Sequence, residues 1–595
     1  MICNRLSLIL PEIIAENQGA FVKERFIAHN IMVCQDLVRH YGRKNSKPSC
    51  IMKLDLKKAY ATIEWEFLEE MLKALNFPEK FVSLIMLCVK TPKFTLMING
   101  SMHGYFSSKR GLRQGDPISP LLFVICIEYL SRLMGTLESH PHFNYHLRCK
   151  KSKLNRMVFA DDIILCCEGN FPSVYTMLKA FKLFSATSGL QISEQKLDFY
   201  TAGVNQECIQ RIKAVTQFTY SKLPFKYLGV PVCARKIRVA ECNGIIEKMC
   251  ARIKVWSSRN LSYMARVTLV NSVLLSIHQY WAQMFIIPKA VLKEIEKICR
   301  AFLWTGEWSS NKSGNIAWEH VCLPKQAGGV GFRKIQLWNV AALAKYVWAI
   351  STKQDNLWVK WVHEVYVKEN SWWDYDSPID SCWYWKQICK VKSKVKLLYS
   401  ENEWKSMTKF CVQKVYKKLL GEHPVVHWDK LIWNRLVIPK HRMIGWLVMK
   451  QRLRTLDILV KIGVQDSSSC QLCEHGNESH NHLFFQCPYS AQCLSLIRGW
   501  LGMKNHHNIF ARQLNFIMKS KRSGLQKRVL AAVYNGLVYQ LWWARNEAIW
   551  NHVVWKPEII FKKLKQLVQQ RIRLVLPQKI SARDQSWIDQ KLMNV

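Results

Sequence analysis

The sequence predicts an α+β N-terminal part followed by a mainly helical remainder. Three observations carry this. β-prone apolar runs joined by turn residues occur before residue 235, and a clear helical period follows in residues 264–281. Tryptophan use also changes: only Trp65 lies before residue 240, whereas seventeen of the 24 tryptophans fall between Trp256 and Trp446. With 595 residues, 49% apolar and 22% charged, the chain has length for about four domains. The same values exclude wholesale disorder and a collagen-like or coiled-coil chain.

Taken in order, residues 51–65 (IMKLDLKKAYATIEW) begin with alternating positions and pass into a helical pattern, which reads as a strand leading into a helix. Residues 111–120 (GLRQGDPISP) form a Gly/Pro-rich loop in which Ser119 is expected to cap, and Pro120 to start, the apolar helix that follows. MVFADDIILCC (157–167) reads as a hairpin with a two-Asp tip. Met264, Val267, Asn271, Leu274, Ile277 and Trp281 mark an amphipathic helix, and most of the tryptophans are expected to fill a core. Between Pro557 and Pro577, Ile560, Leu564, Val568, Ile572 and Val575 form one stripe of a basic helix. The expected segments are 1–235, 236–400, 401–500 and 501–595.

The 86 Lys+Arg against 43 Asp+Glu give a net charge of +43. Residues 1–240 carry +14, residues 241–400 carry +10 and residues 401–595 carry +19. Charge spread in this way suits a long groove along a phosphate backbone rather than one basic arm, which makes nucleic acid the expected partner. The 21 cysteines have no short-period framework, so a reducing intracellular setting is expected. The N-terminus lacks a signal-peptide pattern and no run reaches 18 apolar residues, so no membrane partner is expected.

Two constellations carry chemistry. Phosphoryl transfer by two metal ions needs carboxylates that converge from separate strands; Asp55 at a strand end and Asp161 and Asp162 at a hairpin tip meet that need. Cys470, Cys473, His482 and Cys487 spell C-x2-C-x8-H-x4-C, three thiolates and an imidazole for one structural tetrahedral Zn2+. His480 is an alternative to His482, with His475 and Cys493 weaker ones.

KLDLKKAYATIEW, GLRQGDPISPLLFVICIEYLSRL, FADD, SGLQISEQK and FKYLGVPV resemble, in order, motifs A to E of reverse transcriptases from non-LTR (LINE-type, particularly plant) retrotransposons. NQGAFVKERFIAHNI resembles the fingers motif and LSYMARVTLVNSVLLSI the thumb, and the Cys/His segment with its WDKLIWNRLVIPKHRMIGWLV lead-in resembles the zinc-binding module that follows such polymerases. The resemblance implies a right-hand polymerase: α+β fingers and palm in 1–235, a helical thumb and Trp-rich connector in 236–400, the zinc-binding module in 401–500 and a basic helical tail. It implies RNA-directed DNA synthesis from deoxynucleoside triphosphates on an RNA template and DNA primer, in the nucleus, with two Mg2+ on Asp55 and Asp161 and Asp162 in support. Tyr60 would be the steric gate, Gln114 and Gly115 would line the nucleotide and template pocket, Arg25 would contact the triphosphate, and Lys196 would protonate pyrophosphate. The chain departs from the family pattern at Ala61 (usually Asp), Glu24 (usually Gly) and Ser193 (usually Asn), and is expected to be a fragment without the endonuclease. The alternative is a catalytically inactive nucleic-acid-binding remnant of the same family.

Overall fold

Residues 49–57 alternate little in burial, because both faces of this strand are covered: Cys50 through Met52, Leu54 and Leu56 are all buried. In the computed structural model, which describes residues 1–43, 45–193, 197–257, 260–310, 312–504 and 507–593, this strand is the centre of the main sheet. The strands among the described residues are β1 (Ser49–Lys57), β2 (Lys93–Ile98), β3 (Ser101–Ser107), β4 (Arg156–Phe159), β5 (Asp162–Glu168), β6 (Gln191–Ile192), β7 (Asp198–Ala202), β8 (Thr219–Tyr220), β9 (Phe225–Tyr227) and β10 (Val230–Val232). The main sheet runs β4-β5-β1-β7-β8, with β6 also on β1; β2-β3 and β9-β10 are separate hairpins. Among the described residues every other element is helical, so the fold is α+β and mostly helix.

The Ser119–Thr136 helix belongs to the same hydrophobic core as β1, with Leu122 through Ile127 and Leu130 buried. By length and composition it is the one helix among the described residues apolar enough to cross a membrane, but 61% of its window is buried in the core. Its start differs from expectation. Ser119 makes no capping bond and Ile118 is the N-cap residue. The Asp116 carboxylate instead accepts from the Ile118 N–H at 3.4 Å, so the free amide is satisfied from further upstream.

Chain contacts divide the protein into two units: Met1–Glu241 with Tyr280–Pro288 and Asn339–Leu419, and Cys242–Gln279 with Lys289–Trp338 and Leu420–Val595. In the first, the buried Asp36 pairs with Arg148 at 2.7 Å and accepts from Trp361 Nε1 at 2.8 Å and from the Tyr366 hydroxyl. Removing one partner of a buried charge pair costs about 3–5 kcal/mol, so these bonds tie residues 357–367 to the sheet-bearing part. Trp358, Trp361, Trp385 and Trp404 are buried there, in line with tryptophan as core filler.

In the second unit the expected helix over 264–281 is broken by a π turn, Val270–Leu274. The wider turn rotates the stripe, so Val270 is buried and Asn271 is exposed. The Pro557–Val575 helix buries Ile560, Leu564, Val568 and Ile572. It packs closely on the Gly524–Trp550 helix at Gly536, where a Cβ would lie 2.5 Å from Leu564 Cδ1. A side chain at 536 would have to push that methyl aside.

Candidate functional site

β1 and β5 run antiparallel in a register that sets Asp55 directly opposite Asp162. Directly paired residues share a face, so both carboxylates stand on the same side of the sheet end. The β4-β5 turn closes with Phe159 opposite Asp162, which makes Ala160 and Asp161 the two-residue tip and Asp162 the first residue of β5. Ala160 has a φ of +55°, the sense such tight tips require. Asp161 is exposed; Asp55 and Asp162 are half-buried. Tyr60 follows β1 after a turn and stacks on Phe123 of the core helix, centroids 5.0 Å apart. Burial first, and then the Asp161 charge, push its phenol above the ordinary value.

The hairpin is held from outside by residues the sequence did not single out. Gly19 N donates to Val158 O at 2.8 Å, Val158 N to Asn17 O at 2.9 Å, and Asn30 Nδ2 to Val158 O at 2.9 Å. Gln18 Oε1 accepts from Ala160 N at 3.4 Å, next to Asp161. Residues 17–19 thus pair along β4 and steady its tip. On the other flank, Ser193 N donates to Asp55 O at 2.9 Å, so the site uses this residue's backbone whatever its side chain.

The 111–116 loop docks on the turn after β1. Gly111 N donates to Ile63 O at 2.8 Å, Leu112 N to Tyr60 O at 2.6 Å and Trp65 Nε1 to Gly111 O at 2.8 Å. Gly111 has a φ of +87°, and a Cβ there would lie 2.8 Å from the carbonyl oxygen of Ala61. Gln114 and Gly115 are exposed, and Arg113 pairs with Asp116 at 2.6 Å. The guanidinium of Arg25 points inward, donating to the carbonyls of Ala15 (2.6 Å), Ile14 (2.7 Å), Gln18 (2.8 Å) and Pro11 (3.3 Å). Lys196 lies outside the described residues.

In the second unit, the ligand atoms of Cys470, Cys473, His482 and Cys487 all lie within 4.8 Å of one another. Sulfurs about 2.3 Å from a tetrahedral Zn2+ sit about 3.8 Å apart, so the set fits that ion. His482 Nε2 is 3.4 Å from Cys473 Sγ. His480 is used elsewhere, its Nε2 accepting from Leu453 N at 3.1 Å, and Cys493 lies on the following Pro488–Leu501 helix. Between the ligands, buried Glu478 is bound by Arg545 Nη2 (2.8 Å) and Nε (3.0 Å) and accepts from Leu456 N at 2.8 Å. That pair fixes the loop to the Gly524–Trp550 helix.

Residues 1–232 match the family described as reverse transcriptase (RNA-dependent DNA polymerase), and residues 410–493 match zinc-binding in reverse transcriptase. The chain is 24% identical over 375 residues to the transposon TX1 149 kDa protein of Xenopus laevis (59% of this chain, 26% of that one). It is 23% identical over 313 residues to the Pol polyprotein of retrotransposable element R2DM of Drosophila melanogaster (51% and 28%). Two stretches of the chain thus match the reverse transcriptase domain and its zinc-binding module, and the relatives it resembles are non-LTR retrotransposon proteins. The chain spans about a quarter of the length of these relatives. A telomerase from Candida albicans aligns at 14% identity and a TM-score of 0.32, covering 67% of this chain and 56% of that one. The reverse transcriptase match contains Asp55, Asp161 and Asp162, and the zinc-binding match contains Cys470, Cys473, His482 and Cys487.

Proposed function

We propose that the protein is an RNA-directed DNA polymerase in which Asp55 and Asp161 hold two Mg2+ and Asp162 supports the tip. The observation that carries this is the β1-β5 register that sets Asp55 opposite Asp162 with Asp161 one residue away at the tip. Hard carboxylate oxygens at a strand end suit Mg2+, which keeps water and substrate phosphates as its other ligands. Bound there, the ions would supply charge stabilisation for the attacking and leaving oxygens. The protein's own part is positioning. Tyr60, fixed by its stack on Phe123, would lie under the incoming sugar and crowd a 2′-hydroxyl, and the loop bearing Gln114 and Gly115 would border the nucleotide and template. Primer 3′-oxygen attack on the α-phosphate then displaces pyrophosphate, with Lys196 as proton donor.

The sheet-bearing part would serve as fingers and palm, residues 236–400 as thumb and connector, the zinc-binding module would hold one structural Zn2+, and the basic tail would follow, acting on RNA template and DNA primer in the nucleus. Arg25 reaches a triphosphate only by exchanging its carbonyl partners, and this observation favours the second reading, a nucleic-acid-binding protein without turnover. Primer extension on homopolymer RNA separates the two. Asp161→Asn should abolish synthesis and leave RNA affinity nearly intact; undiminished synthesis by that variant would sink the metal assignment. Tyr60→Ala should admit ribonucleotides.

A further inference from the structure

Three cations from distant parts of the second unit converge beside the zinc-module lead-in. Arg442 Nη2 and Arg571 Nη2 both donate to the carbonyl of Arg435, at 3.1 Å and 2.9 Å. Arg442 Nε donates to Val437 O at 3.0 Å, and Lys325 Nζ lies 5.3 Å over the ring of Trp433. Among the described residues no ion pair joins any of the three to a carboxylate. Each feels the next: desolvation and Arg442 lower Lys325, and desolvation and Arg571 lower Arg442. Two guanidiniums on one carbonyl oxygen, with a lysine beside them, are a like-charge cluster that the fold brings together without neutralising it. Such a cluster is relieved by an anion from outside, and a planar guanidinium pair suits phosphate oxygens. Next to it, a cavity of about 630 Å³ is lined by Lys325, Lys430, Lys527 and Arg528, with Trp433 and one carboxylate, Asp429. That volume takes a nucleotide.

We propose that Lys325, Arg442 and Arg571 form a phosphate-holding cluster that grips the backbone of single-stranded nucleic acid, with the adjoining cavity receiving one splayed nucleotide. The partner is a polyanion rather than a protein or a membrane because the cluster continues into further Lys and Arg around the cavity and residues 401–595 carry +19. The cluster also gives the Pro557–Val575 helix a task, since Arg571 is its contribution. The inference rests on the proposed nucleic-acid substrate and is independent of synthesis.

The test is the salt dependence of binding to a single-stranded RNA oligonucleotide by the full chain and by Arg442→Gln/Arg571→Gln, with zinc content and thermal melting as checks on folding. Two lost phosphate contacts remove about 1.4 from the magnitude of the log-log slope, at about 0.7 per contact on single strands. Between about 50 and 200 mM salt this narrows the affinity loss roughly sevenfold. Lys325→Gln/Arg571→Gln should do the same if the first pair does not fold. In the unmutated protein, bound RNA should slow acylation of Lys325. An unchanged slope in a folded, zinc-loaded variant, or equal Lys325 acylation with and without RNA, would overturn the proposal. Loss of binding to phosphatidylserine vesicles with the RNA slope unchanged would overturn it in favour of lipid phosphate. Because the readout is binding, a chain that synthesises no DNA still reports on the cluster.

Discussion

Glu24 has a φ of +67°, a backbone region that costs an L-residue about 1–2 kcal/mol and glycine little. The family's usual glycine before Arg25 is thereby explained, and this chain carries the strain. Glu24→Gly should raise stability by a net of about 0.5–1 kcal/mol after the flexibility glycine adds to the unfolded chain, read as a higher midpoint in urea. A lower midpoint would refute the strain argument. Gly111 is the converse case. Alanine there meets both the left-handed φ and the Ala61 carbonyl, so Gly111→Ala should push the 111–116 loop off the turn that carries Tyr60. A displacement on the order of 1 Å costs about a hundredfold in rate, measurable as primer extension at saturating nucleotide with the fold retained. The aspartates and Gly111 were legible because their motif is contiguous in sequence. Gln18 and Asn30 were not, since they act on the β4-β5 hairpin across 142 and 128 residues through the backbone, and no local pattern announces such a bond.

Among elements, the zinc loop was legible in its ligand spacing, and its support was hidden. A glutamate between a cysteine and a histidine looks like surface charge. Glu478 instead spends both oxygens on Arg545, 67 residues away in sequence, with both side chains buried. Arg545→Met should destabilise the zinc-bearing unit by about 3–5 kcal/mol, because it leaves a buried carboxylate unpaired. Metal analysis of the unmutated protein should give one zinc per chain, and Cys470→Ser with Cys473→Ser should lose it and open residues near 470–490 to protease. A metal-free module that resists protease as well as the loaded one would contradict this. The helix over 264–281 shows the limit of periodicity: spacings of three and four fit an α-helix, but the π turn changes which residue faces inward, and that depends on packing partners outside the segment.

For the whole molecule, acid is the condition most opposed to the fold. Burial lowers His146 and His278 to about 4 and His441 to about 3, with Arg148, Arg333 and Lys440 adding repulsion in turn. Their folded values lie below the ordinary 6.5, so between about pH 6.5 and 4 the unfolded chain binds more protons and stability rises with pH. Each group contributes on the order of 1 kcal/mol per pH unit in that window, and the urea midpoint should fall steeply from pH 7 to pH 5. A flat midpoint would mean that these rings are hydrated. The division of α+β before helix was legible in composition. That the sheet-bearing unit also claims residues 339–419 was not, because the Asp36 contacts to Trp361 and Tyr366 span more than 320 residues. This interleaving bears on vectorial synthesis. As the chain leaves the ribosome, β1 through β8 emerge early but Asp36 waits for its indole and phenol partners, while the first segments of the other unit pass between. The sheet-bearing unit cannot close before residue 419 has emerged, so a nascent chain halted near residue 240 should be held by chaperones longer than one halted near residue 420, and a fragment of residues 1–235 should be less soluble than the sequence motifs alone would suggest.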